Sequence, residues 1–247
     1  MAGQLDFAEF TIDGYREVLR QTAAGYEFRA FGDPADGPHV LWRHDLDYSV
    51  HRAARVAAIE AEQGLRATYF VYLRSELYNA LEPGIARLLR GIAELGHPIG
   101  LHFDCGFHGE YDDEAAMEDD LAAERGILEQ VVEAPVAAYS LHNPTVSGAV
   151  TFDAEGMAGM LHAGAASLRQ EYRFLSDSNG FWRHGRLHDA LDRAAHPRLH
   201  VLTHPEWWQD EPMAPRARIE RCVEGRAAFS LAAYDELLRQ SGRMNVR

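Results

Sequence analysis

Strand-like and helix-like segments alternate along this chain of 247 residues, and that alternation restricts its fold more than any other feature. Apolar runs at 40–42, 67–73 and 199–203 are rich in aromatic and β-branched residues, which favour buried strands. Between the first two runs, Ser49 predicts a helix N-cap and Gly64 a helix end. Small and apolar residues recur at helical spacing between them: Val50, Ala53, Ala54, Ala57, Ala58 and Ala61. This order predicts βαβ units and a mainly parallel sheet.

The chain length is close to the ~250 residues typical of a (β/α) barrel. A complete or partial (β/α) barrel is therefore the expected α/β fold, with a doubly wound open sheet as the alternative. Further helices are predicted over 83–96, 113–132 and 215–238, the last with a break near Gly225. We expect one domain over 1–247, with 1–38 as an N-terminal extension and 214–247 as C-terminal helices.

Composition excludes several classes of partner. A formal net charge of −14 argues against nucleic acid and anionic membranes, because both reward clustered basic residues. No apolar run approaches the length of a membrane span, and no basic segment followed by an apolar one opens the chain. Cys105 and Cys222 suggest neither a disulfide framework nor a metal pair. We expect a soluble, cytoplasmic protein whose oligomeric state is open.

Histidine or aspartate follows five different predicted strands. Asp45 and Asp47 follow the first core strand, and the others are His102 with Asp104, His142, Asp177 and His204. One such residue after a strand is ordinarily a turn or cap residue. In α/β barrels, however, the carboxyl ends of the strands form one face on which catalytic groups converge. Mixed imidazole and carboxylate groups there suit a divalent metal with spare groups for proton transfer.

Four motifs in order, "RHDLD", "GHPIGLH", "SDSNGFW" and "LTHPEWW", resemble those of polysaccharide deacetylases, that is, carbohydrate esterase family 4. The resemblance spans 40–208 and is closest to divergent cytoplasmic members associated with surface-polysaccharide synthesis. It implies a distorted (β/α) barrel with fewer than eight regular units and a single divalent metal. It also implies hydrolysis of an N-acetyl or related acyl group on a sugar.

The resemblance assigns roles residue by residue. Asp45 takes the position of the general base, and Leu46 separates it from Asp47, the expected metal ligand. His204 matches the catalytic acid, and Asp177 with Trp182 resembles the pair that orients this acid. Three residues, Asp104, Trp182 and Trp207, are candidates for binding substrate, although paired tryptophans are about as often packing residues.

The third metal ligand is open to two interpretations. His102 matches the first of two family ligand histidines, but Gly106 stands where the second is expected. His108 is the nearest substitute, whereas His142 stands near the end of its own strand, where the family usually has an arginine. Side chains on strand ends hold metal geometry better than side chains on loops. We therefore favour Asp47, His102 and His142 as ligands, with His108 as the runner-up, and Zn²⁺ as the metal over nickel, cobalt, iron or manganese.

Simpler interpretations compete with these roles. Asp45 and Asp47 could be carboxylates at a helix start, His44 is expected to be structural, and His97 to lie at a helix end. Five further histidines are expected to be mostly solvated: His162, His184, His188, His196 and His200. Two other functions are open, namely a metal-dependent hydrolase or deformylase of a small non-sugar amide, and a non-catalytic relic that binds a glycan or a protein partner.

Overall fold

The structure, a computed structural model, describes residues 7–109, 111, 113–143, 154–182, 185–191 and 195–246. Its strands are β1 (Glu27–Arg29), β2 (His39–Leu46), β3 (Thr68–Val71), β4 (Ile99–Phe103), β5 (Val136–Leu141), β6 (Gly156–Met157), β7 (Met160–His162), β8 (Arg173–Ser176) and β9 (Arg198–Thr203). Its α-helices are α1 (Ile12–Ala23), α2 (Val50–Glu62), α3 (Pro83–Glu94), α4 (Cys105–His108), α5 (Glu114–Val132), α6 (Ala166–Glu171) and α7 (Pro215–Gln240). Three-residue 3₁₀ helices lie at Ser178–Gly180, His188–Ala190 and Pro205–Trp207.

The strands form one sheet in the order β6-β7-β5-β4-β3-β2-β9-β8, and β1 also pairs with β2. All pairings are parallel except the antiparallel pair of β6 and β7. Within the described ranges, no pairing joins the two edge strands, β6 and β8. The α/β prediction of an incomplete (β/α) barrel is therefore confirmed, and a complete barrel is wrong.

Local sequence signals account for the helix boundaries near the sheet. The Ser49 hydroxyl accepts a hydrogen bond from the backbone N–H of Arg52 and so caps α2. Pro83 occupies the first turn of α3, where its missing N–H costs little. The break predicted near Gly225 is wrong, because α7 is one continuous helix of 26 residues that includes Gly225.

The two faces of the sheet differ in chemistry. Residues on the outer face, such as Trp42, Leu101 and Val201, pack in the main hydrophobic core beneath the helices. The inner, concave face carries a small apolar cluster around Phe70. A Cβ on Gly100 would lie 2.5 Å from the Phe70 ring, so this position on β4 accommodates the ring only as glycine. The rest of the concave face combines polar and apolar side chains and lies under the candidate site.

The expectation of solvated histidines is wrong for His162 and His200, which are both buried. His162 stacks on the Tyr139 ring with centroids 4.7 Å apart, and His200 lies edge-on to the rings of Phe31 and Phe174. Both side chains point from their strands against residues of the neighbouring strand, which cover them. His188 is exposed as expected, whereas His184 lies outside the described residues.

No helix within the described ranges combines the length and apolar content that a bilayer crossing requires.

Candidate active site and metal centre

Two residues of β2 and the residue directly after it carry charged side chains toward the concave face. Arg43, Asp45 and Asp47 are two residues apart, and side chains at this spacing share one face of an extended segment. The Arg43 Nη2 donates to Asp45 Oδ2 at 2.9 Å, and both side chains are more than nine-tenths buried. The other Asp45 oxygen, Oδ1, is buried and accepts no hydrogen bond from the described residues. Asp45 Oδ2, the oxygen held by Arg43, also lies 3.7 Å from His102 Nε2 and so faces the neighbouring histidine.

Three ligand-type atoms converge next to this pair. Asp47 Oδ1 lies 3.2 Å from His102 Nε2 and 3.5 Å from His142 Nδ1, and the two ring nitrogens are 3.0 Å apart. Each residue comes from the carboxyl end of a different strand, β2, β4 or β5. Among the described residues, these three form the group of histidine and acidic side chains close enough to share a metal ion.

Neighbouring side chains hold both imidazoles. His102 Nδ1 lies 2.7 Å from the Ser140 hydroxyl, and when this N–H donates, the lone pair of Nε2 points toward Asp47 and His142. The ring of Tyr72 stacks on His142 at 4.3 Å between centroids. The side-chain amide of Asn143 lies 3.0 Å from His142 Nε2, the nitrogen that faces away from the cluster.

The donor set and its spacing fit a small divalent cation. A tetrahedral ion with ligand bonds of about 2.0–2.1 Å requires ligand atoms roughly 3.3 Å apart, and the three distances here are 3.0, 3.2 and 3.5 Å. The buried Asp47 Oδ1 makes no well-formed hydrogen bond within the described part of the chain. A buried anionic oxygen of this kind is costly unless it is paired or bound to metal. One carboxylate with two neutral imidazoles is a donor set that zinc accepts.

His108, the runner-up ligand, lies in a different environment. Its Nδ1 is 3.0 Å from Asp120 and its Nε2 is 3.0 Å from the buried carboxylate of Glu124. Both ring nitrogens therefore face acidic residues of α5. The structure brings His142, and not His108, to Asp47 and His102.

A histidine–aspartate pair stands on the opposite side of the cluster. His204 Nδ1 lies 2.6 Å from Asp177 Oδ1, and the backbone N–H of His204 donates to Asp177 Oδ2 at 2.9 Å. Burial opposes protonation of this imidazole, but the charge and hydrogen bond of Asp177 outweigh it and raise the pKa of His204 to about 10. His204 Nε2 lies 3.8 Å from Asp47 Oδ2, so this nitrogen faces the centre of the site.

A cavity of about 510 Å³ opens onto these groups. It continues from the cluster along the concave face, and its lining includes Arg43, His162, His200 and Arg169. Its volume falls within the ~300–1,000 Å³ typical of small-molecule sites. An acyl group fills only a fraction of such a volume, so the remainder suits a larger group.

The three predicted substrate-binding residues are not among those that line this cavity. Asp104 accepts hydrogen bonds from the Tyr72 hydroxyl at 2.7 Å and from the N–H of Gly106 at 2.9 Å, and so caps α4. Trp207 is buried, 6.4 Å from His204 between ring centroids. Trp182 packs near Trp208, with ring centroids 6.4 Å apart. A role for these residues in substrate binding remains a prediction.

Sequence reasoning missed Arg43, Ser140 and Tyr72. Arg43 could have been found, because it precedes Asp45 by two residues and strand alternation puts both on one face. Ser140 and Tyr72 contact the histidines from other strands or loops. No local pattern marks such contacts.

No protein-family model and no curated protein matches this chain. Solved structures do. The structure is similar to those of family 4 carbohydrate esterases (CE4). A CE4 pseudoenzyme from Bacillus anthracis aligns over 77% of this chain and 62% of its own length, with 14% identity and a TM-score of 0.45. This chain therefore spans less than two thirds of that protein.

Two further similar structures are those of enzymes. The catalytic domain of a peptidoglycan N-acetylglucosamine deacetylase from Eubacterium rectale aligns over 79% of this chain and 87% of its own, with 13% identity and a TM-score of 0.47. An acetyl xylan esterase from Clostridium thermocellum, in complex with cobalt, aligns over 83% and 92%, with 14% identity and a TM-score of 0.44. Identities this low say nothing about the reaction, so the proposed function rests on the geometry of the site.

Proposed function

We propose that this chain is a metal-dependent hydrolase that removes an N-acyl group, in the first place N-acetyl, from a sugar or a sugar-containing precursor in the cytoplasm. The observation that supports this most is the convergence of Asp47, His102 and His142 between two further elements. One is the Arg43–Asp45 pair, and the other is the Asp177–His204 pair. A site that only binds a ligand has no need of a carboxylate and an imidazole prepared for proton transfer on either side of a metal position.

Asp47, His102 and His142 would hold the metal, for which we propose zinc. When bound, a divalent metal polarises an acyl carbonyl and makes a water molecule more acidic. The protein contributes the position of the ligands, since Ser140 and Tyr72 fix the two imidazoles.

Asp45 would act as the general base. Arg43 holds its Oδ2, which lies 3.7 Å from the metal ligand His102 Nε2, and this oxygen would take the proton from the attacking water. The ion pair with Arg43 fixes the orientation of the carboxylate, which could otherwise rotate about its Cβ–Cγ bond.

His204 would act as the general acid. Asp177 holds its Nδ1, which leaves the Nε2 proton directed toward the centre of the site. Transfer of that proton to the departing amine converts a poor leaving group into a good one, which is the harder part of amide hydrolysis. The two proton-transfer groups thus lie on separate strands, β2 and β9, which are neighbours in the sheet.

A pair of substitutions tests these roles. Asp45→Asn should retain the metal and lower turnover by about 10²-fold, as expected for loss of a general base. Asp47→Asn should lose metal, because it removes the anionic ligand. Metal content is measured by elemental analysis of natively purified protein, and turnover by acetate release from N-acetylated oligosaccharides and from small N-acyl amides. Asp119→Asn, an exposed aspartate on α5, is the matched control.

Each result discriminates among the functions. Wild-type protein without stoichiometric metal, or wild-type turnover in both variants, contradicts the hydrolase. If the protein hydrolyses small N-acyl amides but no N-acetylated sugar, the proposed reaction stands and the substrate is a small amide instead of a sugar.

A further inference from the structure

A second cavity, of about 450 Å³, lies between the start of α2, the start of α3 and the middle of α7. It shares no lining residue with the cavity over the candidate metal centre. Its lining includes the apolar residues Leu77, Ile85 and Phe229. It also includes basic side chains from two helices: His51, Arg52, Arg55, Arg221 and Arg226. Apolar and basic residues are in contact, since the Phe229 ring lies 5.4 Å from that of His51 and 5.7 Å from the guanidinium of Arg226.

The charge of this cavity is opposite to that of the chain. The sequence has 38 acidic and 24 basic residues, yet none of the described residues that line the cavity is acidic. Two carboxylates approach its arginines from outside. Asp210 forms two hydrogen bonds with Arg55, and Glu82 lies 2.8 Å from Arg226. Four guanidinium groups therefore face two carboxylates, and the cavity has a surplus of positive charge.

Two of the arginines carry most of this surplus. Arg221 donates a hydrogen bond to the side-chain oxygen of Gln209 at 3.0 Å, which is a neutral acceptor. Arg52 Nη1 lies 3.8 Å from Asp210 Oδ2, a long ion pair, and this buried nitrogen makes no hydrogen bond within the described chain. Burial, and then the charge of Arg55, lowers the pKa of Arg52. A buried N–H group without a hydrogen-bond partner is costly unless a ligand supplies one.

We propose that this cavity binds the phosphate group of a phosphorylated small molecule. Arginine matches the oxygens of phosphate with two parallel hydrogen bonds, and a dianion offsets the surplus charge of the cluster. The apolar lining residues would contact the organic part of the same molecule. Carboxylate ligands fit less well, because a single negative charge offsets only part of the excess of four guanidinium groups over two carboxylates.

The position of the cavity links it to the candidate active site. Tyr48 lines the cavity and directly follows Asp47. The Tyr48 ring is 6.3 Å from that of Trp207, which in turn is 6.4 Å from the ring of His204. A substrate with its acyl group at the metal centre and its phosphate here would have to pass beside these rings, because the two cavities share no lining residue. This link rests on the proposed function and makes the substrate a phosphorylated N-acyl sugar, whereas the phosphate site itself does not depend on it.

Calorimetric titration in a phosphate-free buffer tests the site, with inorganic phosphate as the probe. Arg221→Gln and Arg52→Gln should each weaken binding by about tenfold, which corresponds to about 1.4 kcal/mol. Arg216→Gln is the matched control, because it removes the same charge from the same helix at an exposed position away from the cavity. Phosphate binding should persist in Asp47→Asn, which excludes binding to a metal at the other centre. Circular dichroism verifies that each variant is folded.

Absence of binding to the wild type, or equal binding by the cavity variants and Arg216→Gln, overturns the phosphate site. Loss of binding in Asp47→Asn alone also overturns it, because the probe would then report the metal. Titrations with N-acetylglucosamine 1-phosphate and with N-acetylglucosamine show whether the site binds a sugar phosphate or free phosphate. Tighter binding of the sugar phosphate than of either inorganic phosphate or the free sugar supports a phosphorylated substrate. Equal binding of the sugar phosphate and inorganic phosphate retains the site and overturns its link to the substrate.

Discussion

At the scale of single residues, His142 and His108 show how position decides what a histidine can do. His142 directly follows β5, beside His102 at the end of β4, and its ring is held by Tyr72. His108 ends the short helix α4, and both of its ring nitrogens face carboxylates of α5. The first can offer a lone pair to a metal, whereas the second serves as a hydrogen-bond donor between two helices.

The two histidines should therefore differ in their effect on metal content. His142→Ala should lower the bound metal to a trace, because only Asp47 and His102 would remain as ligands. His108→Ala should keep one metal per chain. Elemental analysis after dialysis against a weak chelator measures both. The reverse pattern would assign the third ligand to His108 and leave His142 to orient Asp45.

At the scale of secondary-structure elements, a fully buried polar cluster behind the site joins five elements. Glu60 on α2 receives a hydrogen bond from the Tyr69 hydroxyl of β3 at 2.6 Å and lies 2.7 Å from His44 Nε2 of β2. The Tyr15 hydroxyl of α1 also donates to Glu60. The other nitrogen of His44 lies 2.7 Å from the Thr203 hydroxyl, next to His204. The cluster fixes the backbone of β2 and β9 from the side opposite the metal centre.

Removal of the charge at the centre of this cluster should destabilise the whole fold. Glu60→Gln should lower the free energy of unfolding by about 2–3 kcal/mol, since several buried donors lose a charged acceptor. Urea denaturation followed by circular dichroism measures the change. Glu62→Gln, an exposed glutamate at the end of the same helix, is the control and should stay within about 0.5 kcal/mol of wild type. Equal stability of the two variants would contradict a structural role for the cluster.

At the scale of the whole molecule, folding buries several histidines in surroundings that favour the neutral imidazole. Burial lowers the pKa of His162 to about 4. Burial, together with the charge of Arg43, lowers the pKa of His200 well below its ordinary value. Burial also lowers the pKa of His97. The unfolded chain binds protons at these positions below about pH 6.5, whereas the folded chain does so only at lower pH.

Stability should therefore fall as the pH is lowered from about 6.5 toward 4. In this window the unfolded state binds more protons than the folded state, so acid favours unfolding, by about 2 kcal/mol at pH 5 for a group shifted as far as His162. Thermal unfolding in excess chelator measures this without the separate effect of metal release. His200→Gln should show a shallower pH dependence than wild type, and the exposed variant His188→Gln an unchanged one. A wild-type slope in His200→Gln would contradict the prediction.

Short-range sequence patterns were enough to predict the elements and the points where polar groups follow strands. Ser49, Pro83 and the alternation of Arg43, Asp45 and Asp47 act within a few residues, so their effects can be predicted without the fold. The resemblance of four motifs added roles for Asp45, Asp47, His102 and His204, which remain predictions about chemistry.

Long-range contacts in the fold determine which strands are neighbours, and therefore which of these groups meet. The order β5-β4-β3-β2-β9-β8 brings His142 to His102 and Asp177 to His204, while β6 and β8 stay apart and leave the barrel open. The same order buries His162 and His200, for which the local sequence predicted solvent. Burial and long-range contact depend on elements distant in the chain, and a periodic pattern within one element contains no information about them.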